Sequence, residues 1–311
     1  MNAHPPARPF LKWAGGKRQL LPQLRRFVPE KFRAYFEPFV GSGAMFFDLA
    51  NSCAALGRGA HLTDINRDLV GCYRTIARDV DAVIASLRQL AILHGNSPTE
   101  TYYRVRDEQF NPTRRRLFDS EHAGRTNFEY PPHVAAMFIY LNRTGFNGLY
   151  RLNSRGDFNV PAGRYTNPQI CDATNLRAVS AVLGSASVDV RYGSFAAVLD
   201  EARRGDLLYF DPPYAPLTAT SNFTSYTALG FSADDQRQLQ EVVVELAGRG
   251  CHVIVSNSTA PLIAGLYEKN RTARRAGLCA HRVGARRAIN SNAARRGEVA
   301  EYIISNVTPS A

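Results

Sequence analysis

The feature that most constrains the fold is a strand–helix–strand pattern between residues 207 and 256. The apolar run LLYF ends in DPPY, and it is followed by the amphipathic segment SADDQRQLQEVVVELAGRG and then by CHVIVS. The apolar residues on one face of that segment are Leu239, Val242, Val243 and Leu246, with Ser232 as the expected N-cap. Two buried strands joined by a helix pair in parallel. The pattern therefore predicts an α/β fold with a doubly wound, mostly parallel sheet.

The start of the chain shows the same strand–helix–strand pattern. RAYFEPFV is typical of a strand, GSGAMFFDLA of a glycine turn entering a helix, and AHLTDIN of a second strand ending in Asp64. Asp64 lies 23 residues after Gly41, about where nucleotide-binding α/β folds place an acid for ribose hydroxyls. Phe46 stands where a dinucleotide fingerprint needs a third glycine, so a nucleoside-like ligand without a pyrophosphate fits better than NAD. As a plain strand–helix connector, the turn alone would be unremarkable.

The tetrapeptide DPPY, residues 211–214, ends a strand in a stiff turn, because neither proline has an N–H to donate to a ladder. One interpretation is a simple strand-ending turn capped by Asp211. The other is a catalytic set of Asp211, Pro212, Pro213 and Tyr214 that acts on an exocyclic amine. The carboxylate and the Pro212 carbonyl would accept the two amine hydrogens, and Tyr214 would stack on a base taken out of a duplex. A sulfonium methyl donor would then be attacked directly, without a covalent intermediate.

The segment LKWAGGK, residues 11–17, is not a phosphate-binding loop, because Leu11 and Arg18 stand where that loop requires Gly and Ser or Thr. Trp13 is the only tryptophan of the chain. Its default role is packing in the core. Its position between Lys12 and Lys17 makes a place in the wall of a ligand site a serious rival.

The positive charge of the chain indicates the class of its binding partner. The 311 residues carry a formal net charge of +11, and the stretch from Lys269 to Gly297 holds nine Lys or Arg and no Asp or Glu. Clustered positive charge suits a polyanion, because each neutralised phosphate releases condensed counterions. Nucleic acid is therefore the expected partner, although charge alone does not say what is done to it.

Several function classes are disfavoured. No stretch approaches the ~20 apolar residues of a membrane span, and the N-terminal MNAHPPARPF lacks the apolar core of a signal peptide. The five cysteines are scattered and never form C-x-x-C, which argues against a zinc site or a disulfide framework. We therefore expect a cytoplasmic, nucleoid-associated protein with no membrane partner and no metal.

The middle of the chain lacks the strand–helix rhythm. From about residue 67 to residue 166 it is helical and polar, with NPTRRRLFDSEHAGRTNFEYPP as an irregular insertion before an aromatic, Arg-rich stretch. We therefore predict a catalytic domain formed by residues 1–66 and 167–311, and an inserted domain formed by residues 67–166.

Taken together, these stretches resemble the Dam-type DNA adenine N6-methyltransferases, the α-order, D12-class amino-methylases with an inserted target-recognition domain. The resemblance rests on PFLKWAGGK, EPFVGSG, TDIN, LNRTGFNGLYRLNSRGDFNVPAGRY, DPPYAPLTATSNFT, VIVSNS and RRAINSN, which span nearly the whole chain in the family's order. It implies transfer of a methyl group from S-adenosyl-L-methionine to N6 of a flipped adenine in double-stranded DNA. It also implies that the site is GATC, the family's usual target.

The resemblance also implies roles for individual residues. The implied cofactor-binding residues are Trp13, Lys17, Phe39, Gly41, Gly43, Asp64 and Asp211. The implied DNA-binding residues are Lys12, Phe146, Asn147, Leu149, Arg151, Asn153, Pro161 and Tyr165, carried by a β-hairpin of the inserted, mainly helical domain. Phosphate contacts are implied for Arg286, Arg287, Asn290 and Asn292. Arg151 suits guanine O6 and N7, Leu149 suits a thymine methyl, and Phe146 suits the gap left by a flipped base.

The sequence departs from the family pattern at two places, and it is compatible with several alternative functions. Phe146 stands where the family has Tyr, which removes a hydroxyl but keeps the stacking face. The residues 114–116 (RRR) lie in a segment longer than the family's, so they contact phosphates or form a solvated loop. The alternatives are an adenine methylase for another DNA site or for RNA, an N4-cytosine methylase, and a catalytically silent DNA-binding regulator. We expect a monomer or weak dimer that serves restriction-modification or DNA replication and repair.

Overall fold

Seven strands form one sheet in this protein. The computed structural model describes residues 5–13, 15, 17–52, 56, 58–118, 128, 130–217, 231–286 and 298–310, with the backbone alone at 18, 285, 286, 298 and 299. The strands are β1 (Tyr35–Glu37), β2 (Ala60–Asp64), β3 (Val188–Tyr192), β4 (Leu207–Phe210), β5 (His252–Ser258), β6 (Cys279–Arg286) and β7 (Glu298–Ser305). Their order in the sheet is β3-β2-β1-β4-β5-β7-β6.

The helices and helical turns complete the element order. The α-helices are α1 (Leu21–Arg25), α2 (Ala44–Asn51), α3 (Arg67–Asn96), α4 (Pro98–Tyr103), α5 (Asn111–Leu117), α6 (Pro132–Thr144), α7 (Ala173–Leu183), α8 (Val198–Glu201), α9 (Ala233–Gly248), α10 (Pro261–Ile263) and α11 (Arg271–Arg275). The 3₁₀ turns are Lys17–Gln19, Phe146–Gly148 and Phe195–Ala197, and the π-helical turns are Arg104–Phe110 and Ala264–Glu268.

The centre of the sheet is parallel and buried. Strand β1 pairs in parallel with β2 and with β4, and β4 pairs in parallel with β5. Every residue of β1 and β4 is buried, as expected for strands covered on both faces. The predicted α/β class with a mostly parallel sheet is confirmed. The last two strands, which the sequence pattern did not predict, form an antiparallel edge: β7 pairs with β5 and with β6.

Helix α9 forms where the amphipathic pattern predicts it. The Ser232 hydroxyl accepts from the Asp235 N–H at 3.1 Å, and the Asp235 carboxylate accepts from the Ser232 N–H at 2.6 Å. This reciprocal capping box satisfies two N–H groups that a helix start leaves without intrahelical partners. The helix buries Leu239, Val243 and Leu246, so its apolar stripe joins the core that covers β4 and β5.

The chain divides into two compact units. Unit 1 comprises Met1–Gly16, Gly41–Asn51 and Asp64–Gly193, and unit 2 comprises Lys17–Val40, Ser52–Thr63 and Ser194–Ala311. Unit 1 is mainly helical, with α3 packed against α6 and α7. Unit 2 holds β1 and β4–β7. The units are defined by compactness rather than by role, so the predicted domain boundaries near residues 66 and 166 stay a prediction.

The inserted stretch is more regular than the sequence indicated. Residues 111–117 form α5 and α6 begins at Pro132, so the predicted irregular insertion is wrong for its first part. Most of its remainder, residues 119–127 and 129, lies outside the described residues. The hairpin expected after α6 consists of two isolated antiparallel bridges, Gly145–Ala162 and Leu152–Phe158. None of the described helices combines the length and apolarity that crossing a bilayer requires.

A buried carboxylate anchors the start of β4. Asp206 is fully buried and accepts from Arg33 Nε at 2.8 Å and from an Arg33 terminal nitrogen at 2.7 Å. It also accepts from the backbone N–H groups of Ala34 at 3.1 Å and Arg203 at 2.7 Å. One side chain thereby joins the residues that precede β1 and β4.

We expect Asp206→Ala to lower the free energy of unfolding by about 3 kcal/mol, because it leaves a guanidinium and two backbone donors without their acceptor. Urea denaturation followed by circular dichroism measures the change. The control is Asp81→Asn, which removes an exposed pair with Arg177 and should leave the unfolding midpoint nearly unchanged. Equal effects of the two substitutions would contradict the anchoring role of Asp206.

Candidate active site

The strand order locates a ligand site at the ends of β1 and β4. These two neighbouring strands run parallel, while the chain continues from β1 to β2 on one side and from β4 to β5 on the other. In open α/β sheets, ligands bind outside the carboxyl ends of the strands where the strand order reverses. Strand β4 ends at Phe210, so the next residue, Asp211, stands at that point.

Asp211 is held by two donors from distant parts of the chain. Lys17 Nζ lies 2.9 Å from Asp211 Oδ1, and the Ser256 hydroxyl donates to the same oxygen at 2.7 Å. The Asp211 side chain is 20% exposed and the Lys17 side chain 9%, so the ion pair is largely withdrawn from water. Both contacts converge on one oxygen, and they orient the carboxylate so that Oδ2 can serve a ligand.

The ring and the hydroxyl of Tyr214 each have a partner in unit 2. Lys17 Nζ lies 4.3 Å from the centre of its ring, and its hydroxyl donates to Glu301 Oε2 at 2.9 Å. Burial, together with the negative charge of Asp211, raises the pKa of Tyr214 well above its usual value. The phenol is therefore neutral at physiological pH and acts as a hydrogen-bond donor to Glu301.

The turn between Asp211 and Ala215 is braced by buried amides. Gln236 on α9 donates to the Pro213 carbonyl at 2.8 Å and accepts from Asn257 at 3.1 Å. Asn257 in turn accepts from the Ala215 N–H at 3.2 Å. The brace adds side-chain contacts to a turn already stiffened by two prolines.

Four residues of this site were not singled out by the sequence: Gln236, Ser256, Asn257 and Glu301. The available signal was VIVSNS, whose polar residues follow an apolar run at the carboxyl end of β5. Parallel strands present their carboxyl ends at one edge of the sheet, so Ser256 was within reach of such reasoning. Glu301 lies on an antiparallel strand that the pattern did not predict.

Phe39, a predicted cofactor residue, belongs to an aromatic cluster of unit 2. Its ring stacks on Phe195 with centroids 5.3 Å apart and meets the edge of Phe231 at 5.7 Å. Phe195 and Phe231 are themselves 5.8 Å apart. The three rings form an apolar surface just after β1.

The other predicted cofactor residues, Trp13, Gly41, Gly43 and Asp64, come together in unit 1. Gly41 has φ +48°, and a Cβ there would lie 2.9 Å from Trp13 Cδ1. A side chain at this position would be strained and would also meet the indole. The glycine turn and the only tryptophan thus form a close-fitting cradle of bare backbone against an aromatic wall.

Asp64 lies beside this cradle. Its two oxygens accept from the backbone N–H groups of Gly41 at 3.1 Å and Asn66 at 2.9 Å. Burial outweighs these hydrogen bonds and raises the pKa of Asp64 to about 6. The carboxylate is ionised at neutral pH but incompletely compensated, which makes it a strong acceptor for ligand hydroxyls.

The predicted base-reading residues lie on the surface of one stretch of unit 1, residues 145–165, which we call the recognition segment. Phe146 and Tyr165 are 47% and 37% exposed, and Asn147, Arg151 and Pro161 are exposed as well, whereas Leu149 and Asn153 are half-buried. Asn147 has φ +54°, an uncommon conformation outside glycine that tends to occur at functional sites.

Two of these residues have partners that sequence reasoning missed. Arg151 Nε donates to Asn159 Oδ1 at 2.8 Å, and one of its terminal nitrogens donates to the Asn159 carbonyl at 3.2 Å. Lys12 Nζ lies 3.9 Å from the centre of the Tyr165 ring. The backbone of Lys12 exchanges hydrogen bonds of 2.8 and 2.7 Å with the buried Asn142 amide. The N-terminal segment is therefore tied to the recognition segment.

The remaining residues considered as DNA contacts either have partners within the protein or lie outside the described residues. Arg114 pairs with the buried Asp68 at 2.7 Å, and Arg115 pairs with Asp157 at 2.7 Å. Neither arginine lies in a solvated loop, because both are on α5 with internal partners. The Arg286 side chain and the residues Arg287, Asn290 and Asn292 lie outside the described residues. Among the described residues, no cluster of three or more His, Cys, Asp or Glu is arranged to hold a metal ion.

The structure thus gathers the predicted residues into three groups. In unit 2, Lys17, Asp211, Pro212, Pro213 and Tyr214 lie together, with Phe39 in its aromatic cluster. In unit 1, the cradle residues form one group and the base-reading residues with Lys12 form another. An oriented carboxylate beside a stacking ring suits chemistry on a planar amine. An exposed, partly aromatic and partly basic segment suits nucleic acid.

Comparison with known proteins agrees with this chemistry. The profile of a family described as D12 class N6 adenine-specific DNA methyltransferase matches residues 13–288. The type II methyltransferase M1.LlaDCHI of Lactococcus lactis subsp. cremoris is 38% identical, with 96% of this chain and 95% of that protein covered. The type II methyltransferase M.MjaIII of Methanocaldococcus jannaschii is also 38% identical, covering 96% and 99%.

A third relative is the DNA adenine methylase of Escherichia coli K12, which is 35% identical over 95% of this chain and 94% of that protein. The matched regions include the cradle, the recognition segment and the DPPY turn. They confirm the family resemblance stated from the motifs. The chain belongs to the D12 class of N6 adenine-specific DNA methyltransferases and is an adenine-specific DNA methyltransferase.

Proposed function

We propose that this enzyme transfers a methyl group from S-adenosyl-L-methionine to N6 of adenine in double-stranded DNA, within GATC, after the adenine has left the base stack. The observation that carries the proposal is the orientation of Asp211 by Lys17 and Ser256 at the carboxyl end of β4. GATC itself rests on the family resemblance of the recognition segment.

The cradle in unit 1 fits the nucleoside part of the donor. Because Gly41 has no Cβ, the Trp13 ring lies directly against its backbone, where a Cβ would come within 2.9 Å of the indole. Asp64 offers a half-buried, ionised acceptor of the kind that binds ribose hydroxyls in nucleotide-binding folds. Trp13 offers an aromatic face. When bound, the donor supplies an activated methyl group on a sulfonium.

In unit 2, Asp211 acts on the amine of the target base. The N6 lone pair of adenine is delocalised into the ring, so the amine is a poor nucleophile. Oδ2 of Asp211 accepts a hydrogen bond from one N6–H and the Pro212 carbonyl accepts one from the other, which favours a pyramidal nitrogen with a localised lone pair. That lone pair forms the N–CH3 bond as the bond between the methyl carbon and sulfur breaks, and the methylated nitrogen then releases one proton. Because the carboxylate and the turn are fixed beforehand, this stabilisation requires no reorganisation during the reaction.

Extraction of the adenine explains the two aromatic positions. Within a duplex, the N6 hydrogens are engaged in base pairing, so an enzyme that reacts there must take the base out of the stack. The Tyr214 ring, held by Lys17 and Glu301, provides a stacking face for the extruded base. Phe146, exposed at the start of the recognition segment, is suited to fill the gap left in the duplex.

Base reading is assigned to the outward-facing side chains of the recognition segment. Arg151 has the geometry for two hydrogen bonds to guanine O6 and N7, and Leu149 for contact with a thymine methyl. The hydrogen bonds from Arg151 to Asn159 fix the direction in which the guanidinium points. Lys12, Asn147, Asn153, Pro161 and Tyr165 complete the proposed contact surface.

The decisive experiment is methyl transfer from labelled S-adenosyl-L-methionine to a duplex containing GATC and to one with those bases scrambled. We expect N6-methyladenine, identified by nucleoside mass spectrometry, in the GATC duplex alone. Asp211→Ala should lower turnover by about 10³-fold or more while DNA binding persists. Methylation of both duplexes would overturn the GATC assignment, and a variant that kept most of its turnover would overturn the role of Asp211.

Arg151→Ala should relax discrimination at one base pair of the site by about 1–3 kcal/mol. The measurement is kcat/KM on duplexes with a single substitution at each position of the site. Arg155→Ala, an exposed arginine of the same segment, is the matched control and should leave the pattern of preference unchanged. A uniform loss across all duplexes would instead make Arg151 a phosphate contact.

Binding of the cofactor should weaken in acid. The raised pKa of Asp64, about 6, means that the carboxylate becomes protonated as the pH falls through this value and loses acceptor capacity. We expect the Kd for S-adenosyl-L-methionine to rise about tenfold between pH 7 and pH 5, because only the ionised form binds well. Isothermal titration calorimetry measures this change.

The control is Asp64→Asn, which should bind the cofactor more weakly at every pH and show no rise in Kd of its own between pH 7 and pH 5. Ionisation of the cofactor itself affects both proteins equally and therefore cancels in the comparison. Parallel pH profiles of the wild-type protein and the variant would contradict the role assigned to Asp64.

A further inference from the structure

Tyr150 is one of the residues of the recognition segment whose side chains pack inward. It stands between Leu149 and Arg151, which are assigned to base reading. Its ring packs among Phe138 at 6.1 Å, Phe158 at 6.0 Å and Trp13 at 5.7 Å, and it is stacked on Trp13 with an interplanar angle of 28°. Its two neighbours are less enclosed, because Leu149 is half-buried and Arg151 is exposed.

The hydroxyl of Tyr150 is hydrogen-bonded to the buried carboxylate of Asp68. It donates to Asp68 Oδ2, and the Tyr130 hydroxyl donates to Asp68 Oδ1. Arg114 Nε completes the set at 2.9 and 2.7 Å from the two oxygens. Asp68 is fully buried at the start of α3. Hydrogen bonds to a buried charge are stronger than neutral ones, so each of the three donors is held firmly at the carboxylate.

Helix α5, which carries Arg114, also forms hydrogen bonds with other residues of the recognition segment. A terminal nitrogen of Arg114 donates to the Gly156 carbonyl. Asn111, also on α5, exchanges hydrogen bonds of 2.9 and 3.0 Å with the backbone of Phe158. The inner side of the segment is thus bonded to buried polar side chains in addition to its aromatic contacts.

Contacts within unit 1 lead from Tyr150 to the cofactor cradle. Tyr150 stacks on Trp13, and the Trp13 ring lies so close to Gly41 that no side chain fits there. The Gly41 N–H donates to Asp64. Each step is a direct contact, and the first joins Tyr150, a neighbour of two residues assigned to base reading, with Trp13, a residue of the cradle.

We propose that Tyr150 is a positioning residue that couples the cofactor cradle to the recognition segment, with Asp68 as the anchor that fixes both. The inference rests on the proposed function, because it needs a ligand at each site. Occupation of the cradle restricts the Trp13 ring, the ring restricts Tyr150, and the backbone of Tyr150 sets the placement of Leu149 and Arg151. Cofactor and cognate DNA therefore strengthen each other's binding by the same factor.

The test is a double binding measurement with Tyr150→Phe, which keeps the stacked ring and removes only the hydroxyl bonded to Asp68. The probe is S-adenosylhomocysteine, which permits no turnover. Its Kd is measured by calorimetry with and without the duplex that serves as substrate in the methyl-transfer assay. We expect the duplex to tighten binding about tenfold in the wild-type protein, and less than about threefold in Tyr150→Phe.

Tyr130→Phe is the matched control. It removes another hydroxyl from the same carboxylate, but from a residue outside the recognition segment, so it should lose stability while keeping the tenfold coupling. Equal coupling in the wild-type protein and in Tyr150→Phe, or equal loss in both variants, would overturn the proposal. Failure of the wild-type protein to bind S-adenosylhomocysteine at all would instead overturn the proposed function.

Trp13 offers an independent readout, because it is the only tryptophan in the chain. Its fluorescence reports the stack with Tyr150 directly. We expect the emission of the wild-type protein and of Tyr130→Phe to change on addition of the substrate duplex. The change should be smaller in Tyr150→Phe. An equal response in all three proteins would contradict coupling through Tyr150.

Discussion

The convergence of Lys17 and Ser256 on one oxygen of Asp211 is the interaction on which the proposed catalytic site depends. A carboxylate that must accept a hydrogen from a weakly basic amine is useful only in one orientation. Two donors on Oδ1 fix that orientation, and the two prolines and the amides of Gln236 and Asn257 fix the turn that follows. The enzyme thereby meets the cost of ordering its reactive groups during folding rather than during each turnover.

Two carboxylates near the end of β2 lie in different environments, one satisfied within the protein and the other proposed to bind the cofactor. Asp68 is surrounded by three side-chain donors and is satisfied within the protein. Asp64 has backbone donors, yet burial still raises its pKa to about 6. Because its folded pKa exceeds the usual value, the ionised form costs stability once the pH rises through 6. Under the proposed function, ribose hydroxyls of the cofactor compensate this charge, so that the lost stability is offset when the cofactor binds.

The recognition segment separates its two tasks by the direction of its side chains. Residues bonded to buried polar side chains, such as Tyr150 and Phe158, hold the backbone, while their neighbours, Leu149, Arg151 and Asn159, remain available at or near the surface. Specific contacts to base edges require hydrogen-bond geometry to be reproduced closely, and a segment with only two antiparallel bridges has little ladder to rely on. Its precision therefore comes from side-chain anchors.

The sequence by itself determined the α/β class, the strand–helix–strand path through β4 and β5, the DPPY turn and the chemical character of Asp64 and Asp211. These features depend on periodicity, capping and turn chemistry, which act over a few neighbouring residues. The partners came only with the tertiary structure: Ser256 for Asp211, Glu301 for Tyr214, Asn142 for Lys12 and Asp68 for Arg114. These pairs lie 45, 87, 130 and 46 residues apart, so no local pattern connects them. Arg114 shows most clearly what the sequence could not determine. An arginine in a polar run has the same local pattern whether it faces phosphate, solvent or a buried carboxylate. Only the packing of α5 against the start of α3 decided between them, since the cost of burying Asp68 must be balanced by a charge brought from elsewhere in the chain.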